Sequence, residues 1–243
     1  MTSSRTVVIT GGGTGIGATT AALFAAAGDT VTITGRREDV LAGTAAKLGV
    51  RYLAFDAADP GSVRAALDQL PGSVDVLVNN AGGNTDRQRP AVEPGDLDGV
   101  AAAWRANFDA NVLTAVLVTE ALTPRLADGA RIVTVGSIAA KQGSGSYGAA
   151  KAAIEAWNVD LARKLAGRGI SANVVAPGVT LDTEFFQGTV TEDWVRARVS
   201  VAFDKRPGTP AETADTIFFL AGNGSGHLTG QVVHVNGGAY TAR

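Results

Sequence analysis

The sequence predicts an α/β fold built on a doubly wound parallel sheet of about seven strands with helices on both faces. Three observations carry that prediction. Short β-rich runs alternate with longer alanine-rich amphipathic stretches along the 243 residues. Several runs, such as Val76-Leu77-Val78 and Ile132-Val133, are continuously apolar, as parallel strands covered on both faces require. A glycine-rich turn over residues 10–17 follows the first run at once.

The strands are expected at residues 6–10, 30–34, 52–55, 74–78, 131–135, 171–175 and 232–235, with helical patterns between them. Two stretches interrupt the alternation. Residues 83–99 carry two prolines and several charges and read as a loop; residues 179–210 are irregular and separate the sixth strand from the seventh. Both follow strand carboxyl ends, where open α/β sheets bind ligands, so both are expected to wall a substrate pocket, with about 179–210 as its lid. No proline- or serine-rich linker and no long repeat divides the chain, and residues 1–243 are expected to form one domain.

A hydrophobic content of 45% allows one substantial core. The net charge of −2 comes without blocks of like charge, which argues against nucleic-acid and membrane partners. Absence of cysteine excludes disulfides, thiolate metal sites and cysteine nucleophiles, and no metal is expected. The start, Met1-Thr2-Ser3-Ser4-Arg5, lacks the pattern of a signal peptide, and a cytoplasmic location is expected.

Thr10-Gly11-Gly12-Gly13-Thr14-Gly15-Ile16-Gly17 sits at the first strand-to-helix junction. Glycines there permit a tight turn and close backbone approach, and a helix amino terminus offers unpaired N–H groups to a pyrophosphate. The second strand ends in Thr34-Gly35-Arg36-Arg37. An acid at that place would accept from a ribose hydroxyl, whereas arginine pairs with a 2′-phosphate, so NADP(H) is favoured over NAD(H). Tyr147 and Lys151 stand four residues apart, on one face if the segment is helical. A cation beside a phenol favours the phenolate and suits the pair to proton transfer.

In this order the motifs resemble the short-chain dehydrogenase/reductase family, with its Rossmann-type sheet, along essentially the whole chain. The resemblance makes Gly11, Gly13, Thr14, Gly15, Ile16 and Gly17 the cofactor turn. Asp56 matches the acid that contacts adenine, with a turn or helix cap as its competing role. Asn79-Asn80-Ala81-Gly82 matches the segment closing the fourth strand, Asn80, Ala81 and Gly82 lying beside the cofactor; Pro177-Gly178 matches the turn after the sixth. Asn111, Ser137, Tyr147 and Lys151 then fall in family order as the catalytic set. Tyr147 would exchange the proton with the substrate oxygen. Lys151 would lower the tyrosine pKa and bind the nicotinamide ribose. Ser137 would orient the substrate, and Asn111 would help hold a water that relays protons to Lys151.

Two departures stand out. Ser137 and Tyr147 are only ten positions apart, fewer than the family commonly shows, which shortens the loop over residues 139–146 and leaves Ser144 as a fallback for Ser137. Where the family often places a threonine after Pro177-Gly178, position 182 is aspartate, flanked by Thr180 and Thr183; Thr183 is assigned to the nicotinamide amide. The resemblance further implies a homotetramer, for which the alanines at 149, 150, 152, 153 and 156 offer a close-packing face. The activity implied is NADPH-dependent reduction of a ketone to a secondary alcohol, reversibly, with a 3-oxoacyl thioester as first choice of substrate and an acyl-carrier protein as a candidate partner. Arg125, Arg163, Lys164 and Arg168 are candidates to receive that partner. A dehydrogenase of sugars, steroids or other secondary alcohols is the alternative, followed by a non-catalytic nucleotide-sensing scaffold. Phe185, Phe186, Trp194 and Phe203 could form an apolar lid.

Overall fold

The computed structural model describes residues 4–186 and 190–242. The lid expected over 179–210 lies in part outside the described residues, as do Met1, Thr2 and Ser3 of the amino-terminal segment. The strands are β1 (Thr6–Thr10), β2 (Thr30–Gly35), β3 (Arg51–Ala54), β4 (Val74–Asn79), β5 (Leu126–Val135), β6 (Ser171–Pro177) and β7 (Val232–Val235). They make one sheet in the order β3-β2-β1-β4-β5-β6-β7, parallel throughout. The order reverses between β1 and β4, which opens a crevice at their carboxyl ends.

The helices are α1 (Gly15–Ala26), α2 (Glu38–Leu48), α3 (Pro60–Ala66), α4 (Leu97–Phe108), α5 (Thr114–Leu122), α6 (Ala139–Gln142), α7 (Gly145–Leu165), α8 (Glu192–Val199) and α9 (Pro210–Leu220). Strand side chains alternate between two cores. Val7, Ile9, Ile33, Val76 and Val78 pack against Phe24, Leu41 and Ile217, on α1, α2 and α9. Val8, Leu77 and Ile132 face the other way, onto Val63, Leu122 and Leu161, on α3, α5 and α7. Each such side chain, once buried, contributes about 1.5–3 kcal/mol.

Local chemistry fixes the helix starts. Thr209 accepts from the Glu212 N–H while the Glu212 carboxylate accepts from the Thr209 N–H, a reciprocal cap with Pro210 at the first helical position. Asp59 caps α3, accepting from the Ser62 N–H at 2.6 Å. Residues 83–99 are less irregular than expected. A 3₁₀ turn occupies Thr85–Gln88, and α4 begins at Leu97 because the Asp96 carboxylate accepts from the Gly99 N–H. Between α4 and α5 the helix widens into a π-turn, Asp109–Leu113.

Asn79 ties the sheet to its cover. Buried at the end of β4, its Nδ2 donates to the Thr119 hydroxyl on α5 at 2.8 Å and lies 3.4 Å from the Thr134 hydroxyl on β5. Asn79→Ala strips both threonines of that donor and is expected to cost about 1–3 kcal/mol. A lower urea midpoint at unchanged m-value would register the loss.

Candidate active site

The glycine turn is zipped to the end of β4. Asn80 Nδ2 donates to the carbonyls of Thr10 and Gly11 at 3.1 and 2.9 Å, and the Thr10 hydroxyl accepts from the N–H groups of Asn80 and Ala81. A Cβ at Gly17 would lie 2.2 Å from the Gly11 carbonyl oxygen and 2.5 Å from Asn80 Nδ2, so a side chain there is excluded. Gly11 also takes the left-handed φ of 65°, open chiefly to glycine. The Gly13 carbonyl is held by the Thr44 hydroxyl at 2.7 Å.

What this leaves is the amino terminus of α1, whose cap residue Thr14 makes no side-chain cap and whose first turn carries no acid. Ile16 is half-buried against the core beside it. The unpaired N–H groups and the positive end of the helix dipole therefore face the crevice. That donor set and the bare glycine backbone fit a dinucleotide pyrophosphate. Arg36 and Arg37 are exposed at the end of β2, with no carboxylate in the turn between β2 and α2. Asp56 accepts from the Ala58 N–H at 2.9 Å, so its carboxylate already shapes the turn after β3.

Around the crevice the fold gathers the other expected residues. Asn111 lies in the π-turn, buried, and grips Gly83 twice: its Nδ2 donates to the Gly83 carbonyl at 2.8 Å and its Oδ1 accepts from the Gly83 N–H at 3.1 Å. A Cβ at Gly82 would meet Asn111 Oδ1 at 2.7 Å and Lys151 Nζ at 3.5 Å, which places Gly82, Asn111 and Lys151 together. Ser137 follows β5, its Oγ accepts from the Ala139 N–H at 3.1 Å, and its side chain is near enough to Tyr147 to lower the phenol. The fallback Ser144 makes no side-chain cap on α7. Gly143 and Gly145, with φ of 69° and 56°, turn the chain tightly enough for the short loop to close. Pro177 ends β6 and Gly178 follows it, the Gly178 N–H donating to the Val235 carbonyl.

Tyr147 and Lys151 share one face of α7, both nearly buried at 7% and 4% exposure. Burial pushes the Tyr147 phenol up to about 12, against the pull of the Ser137 side chain and the Arg87 charge. Burial pushes Lys151 down to about 8. Lys151, expected to lower the tyrosine, sets its Nζ 5.9 Å from the centre of the Tyr147 ring. Its Nζ donates to the Val135 carbonyl at 2.8 Å, its own desolvation disfavours the ammonium, and the groups that lower Tyr147 are Ser137 and Arg87.

The loop after β6 closes over the crevice. Asp182 takes a φ of 57°, a left-handed turn that aspartate tolerates and β-branched threonine does not. That turn swings Thr183 onto the glycine cradle, where a Cβ on Gly15 would stand 3.3 Å from it. Phe185 comes 5.8 Å from the Tyr147 ring, Phe186 packs on Phe185 at 5.0 Å, and Trp194 packs on Phe186 at 5.3 Å. Phe203 does not join them; it lies against Gly238 near the carboxyl terminus and is mostly exposed.

Sequence reasoning missed several residues. Arg87 sets its guanidinium 4.9, 5.4 and 5.6 Å from the rings of Phe186, Trp194 and Phe185. Asp86, Asn107 and Ser146 form a closed hydrogen-bonded triangle at 2.9–3.0 Å that anchors the first turn of α7, next to Tyr147. Polar residues in the loop after β4 were the one available signal. Glu184 pairs with Arg37 across the crevice at 2.5 Å. The basic residues proposed to receive a carrier protein sit elsewhere. Arg125 donates to the carbonyls of Leu67 and Leu70 and Arg168 to those of Thr123 and Leu126, at the amino-terminal ends of β5 and β6, opposite the tyrosine. Arg163 and Lys164 pair with Asp160. Among the described residues no cluster of histidine and acidic side chains could hold a metal, and no helix is long and apolar enough to cross a membrane.

Comparison with known proteins agrees with this geometry. The family model described as enoyl-(acyl carrier protein) reductase matches residues 11–240. The 3-oxoacyl-[acyl-carrier-protein] reductase of Escherichia coli is 30% identical over 97% of both chains. A short chain dehydrogenase from Burkholderia cenocepacia, solved in complex with NADP, is 32% identical with a TM-score of 0.84, each chain covered to 97%. A 3-oxoacyl-[acyl-carrier protein] reductase from Brucella melitensis, solved with NAD, is 31% identical with a TM-score of 0.85, over 98% of this chain and 92% of that one. On a match running almost from end to end, the chain belongs to the short-chain dehydrogenase/reductase family and is an NAD(P)-dependent oxidoreductase.

Proposed function

We propose that the chain, working as one domain over residues 1–243, is an NADPH-dependent carbonyl reductase that converts a ketone to a secondary alcohol, with 3-oxoacyl thioesters as its substrate class. The observation that carries this reading is the buried pairing of Tyr147 and Lys151 on one face of α7, with Lys151 Nζ beside Gly82 at the rim of the glycine cradle and Ser137 just after β5. When bound, a reduced nicotinamide supplies the hydride.

The chain's residues do the rest. Gly11 to Gly17 and the α1 amino terminus would hold the pyrophosphate, Thr183 would close over it, and Arg36 and Arg37 would take the 2′-phosphate. Asn80, Ala81 and Gly82 would border the cofactor beside Pro177 and Gly178, with Asp56 at the adenine. Ser137 would hydrogen-bond the substrate carbonyl and orient it. Tyr147 stays protonated at neutral pH and would donate its proton to that oxygen. Lys151 would bind the nicotinamide ribose, and Asn111, fixed to Gly83, would help hold the water that resupplies the proton.

The aromatic wall of Phe185, Phe186 and Trp194 favours an acyl chain over a polyol, and the acyl-carrier substrate in the name of the Escherichia coli relative points the same way. The NADP-bound neighbour supports the cofactor choice; the NAD-bound one makes it worth measuring. Exposed Val100 and Trp104 on α4 and exposed Val159 on α7 favour self-association along that helix pair, in keeping with a homotetramer.

A screen of NADPH and NADH oxidation over varied ketones, an acyl thioester among them, tests the reading; turnover with sugars or steroids alone would refute the substrate class. Tyr147→Phe is expected to lower kcat about 10²–10⁴-fold while NADPH still binds. Ser137→Ala at full turnover would remove the role given to that serine.

The same burial has a consequence for stability. Lys151 has its ordinary value of 10.5 in the unfolded chain and about 8 in the fold, so between those pH values the unfolded state holds the extra proton and stability rises with pH. Tyr147, moved from 10.0 to about 12, gives the opposite slope, but only above pH 10. Relative to Lys151→Met, the wild type should therefore gain up to about 2–3 kcal/mol between about pH 8 and about pH 10. Urea unfolding of both proteins at the two pH values measures the gain.

A further inference from the structure

Arg37 is the residue at which a 2′-phosphate would be read, and it is already engaged. Its Nη2 donates to Glu184 Oε2 at 2.5 Å. The two come from opposite sides of the crevice: Arg37 stands between the end of β2 and the start of α2, and Glu184 follows Thr183 in the loop that covers Gly15. Both side chains are more than half exposed, at 57% and 52%. An exposed pair of this kind adds little to stability, so its loss costs the fold almost nothing. Its place, rather than its strength, is informative.

We propose that Glu184 is a specificity-determining residue, which holds Arg37 and competes with the 2′-phosphate for the same guanidinium. This rests on the NADP(H) reading given above. A phosphate carries more charge than a carboxylate and can accept two guanidinium hydrogen bonds where Glu184 accepts one here, so it displaces Glu184. A ribose hydroxyl brings no such charge, and Glu184 keeps Arg37 when NADH enters. The carboxylate thus weakens NADPH binding, both by occupying the arginine and by standing next to a like charge, and leaves NADH binding almost unaffected. Because Glu184 adjoins Thr183, release of the pair also frees the covering loop only when the 2′-phosphate is present, since a ligand shifts an equilibrium only by its differential affinity for the two states.

Equilibrium binding of NADPH and NADH, followed by the fluorescence of the protein at low ionic strength, tests this in the wild type, Glu184→Gln, Arg37→Gln and the double variant. Glu184→Gln is expected to tighten NADPH about threefold to tenfold and to leave NADH within about twofold. In the Arg37→Gln background the same change should have no effect on NADPH, and added salt should shrink the gain. If Glu184→Gln weakens both cofactors, the pair is a clamp over the bound dinucleotide and the competition is refuted. Unchanged NADPH binding refutes it equally. If Arg37→Gln leaves the NADPH preference of the wild type intact, the cofactor reading at Arg37 fails and the competition fails with it, a result distinct from either of the others.

Discussion

The site depends on how closely the glycine turn lies against the end of β4. The Gly11 carbonyl accepts from Asn80, and the start of α1 passes so near that Gly17 has no room for a Cβ. This contact fixes where α1 begins, and hence where its unpaired N–H groups point. It also fixes the β1–β4 junction, the place where the strand order reverses and the crevice opens. Ser137 and Tyr147 come from β5 and α7, but the floor beneath them is set by this one backbone approach. Asn79, one residue earlier, extends the same anchoring through α5 and β5, so the cradle inherits the rigidity of the sheet.

Above that floor the fold holds two ionisable groups where each disfavours its charged form. Tyr147 is kept a phenol and Lys151 is drawn toward the neutral amine, and both effects come first from burial. Neutral Tyr147 is the state a proton donor needs. The arrangement stays ordered because its neighbours are polar and satisfied. Val135 offers Lys151 a carbonyl, Asn111 is doubly bonded to Gly83, and the Asp86–Asn107–Ser146 triangle fixes the turn that carries the tyrosine. A π-turn at Asn111 fits this picture, since such widened turns recur at functional sites and this one carries the asparagine that holds Gly83.

The strands were legible because covered parallel strands write themselves as short apolar runs; all seven expected runs coincide with strands to within a few residues, and only β5 starts much earlier, at Leu126. The glycine turn and Ser137 were legible because they follow strand ends, and Tyr147 and Lys151 because they stand four residues apart in the helix after β5. Contacts between loops were not. Arg87 meets Phe186 and Trp194, and Arg37 meets Glu184, through loops from different strands, and no periodicity records which loops will touch. The same limit explains Phe203, grouped with the lid by composition alone, and Arg125 and Arg168, which cap carbonyls at the far edge of the sheet. Thr183 was reachable only through loop geometry, and the left-handed turn at Asp182 is what sets it against Gly15.

The short connection from Ser137 to Tyr147 shows how the two irregular regions share one task. With Gly143 and Gly145 both left-handed, α6 and α7 follow one another almost without a loop, and little backbone is left to wall the tyrosine on that side. The wall comes instead from the segment after β6, which sets Phe185 beside Tyr147 and stacks Phe186 and Trp194 behind it, with Arg87 from the loop after β4 against all three rings. A charge placed among aromatic faces is attracted by the rings and still acts on the nearby phenol, so the group that steadies the wall also tunes the acid behind it. The covering loop carries Thr183 and Glu184 immediately before Phe185, so its position over the glycine cradle and its position beside Tyr147 are set together.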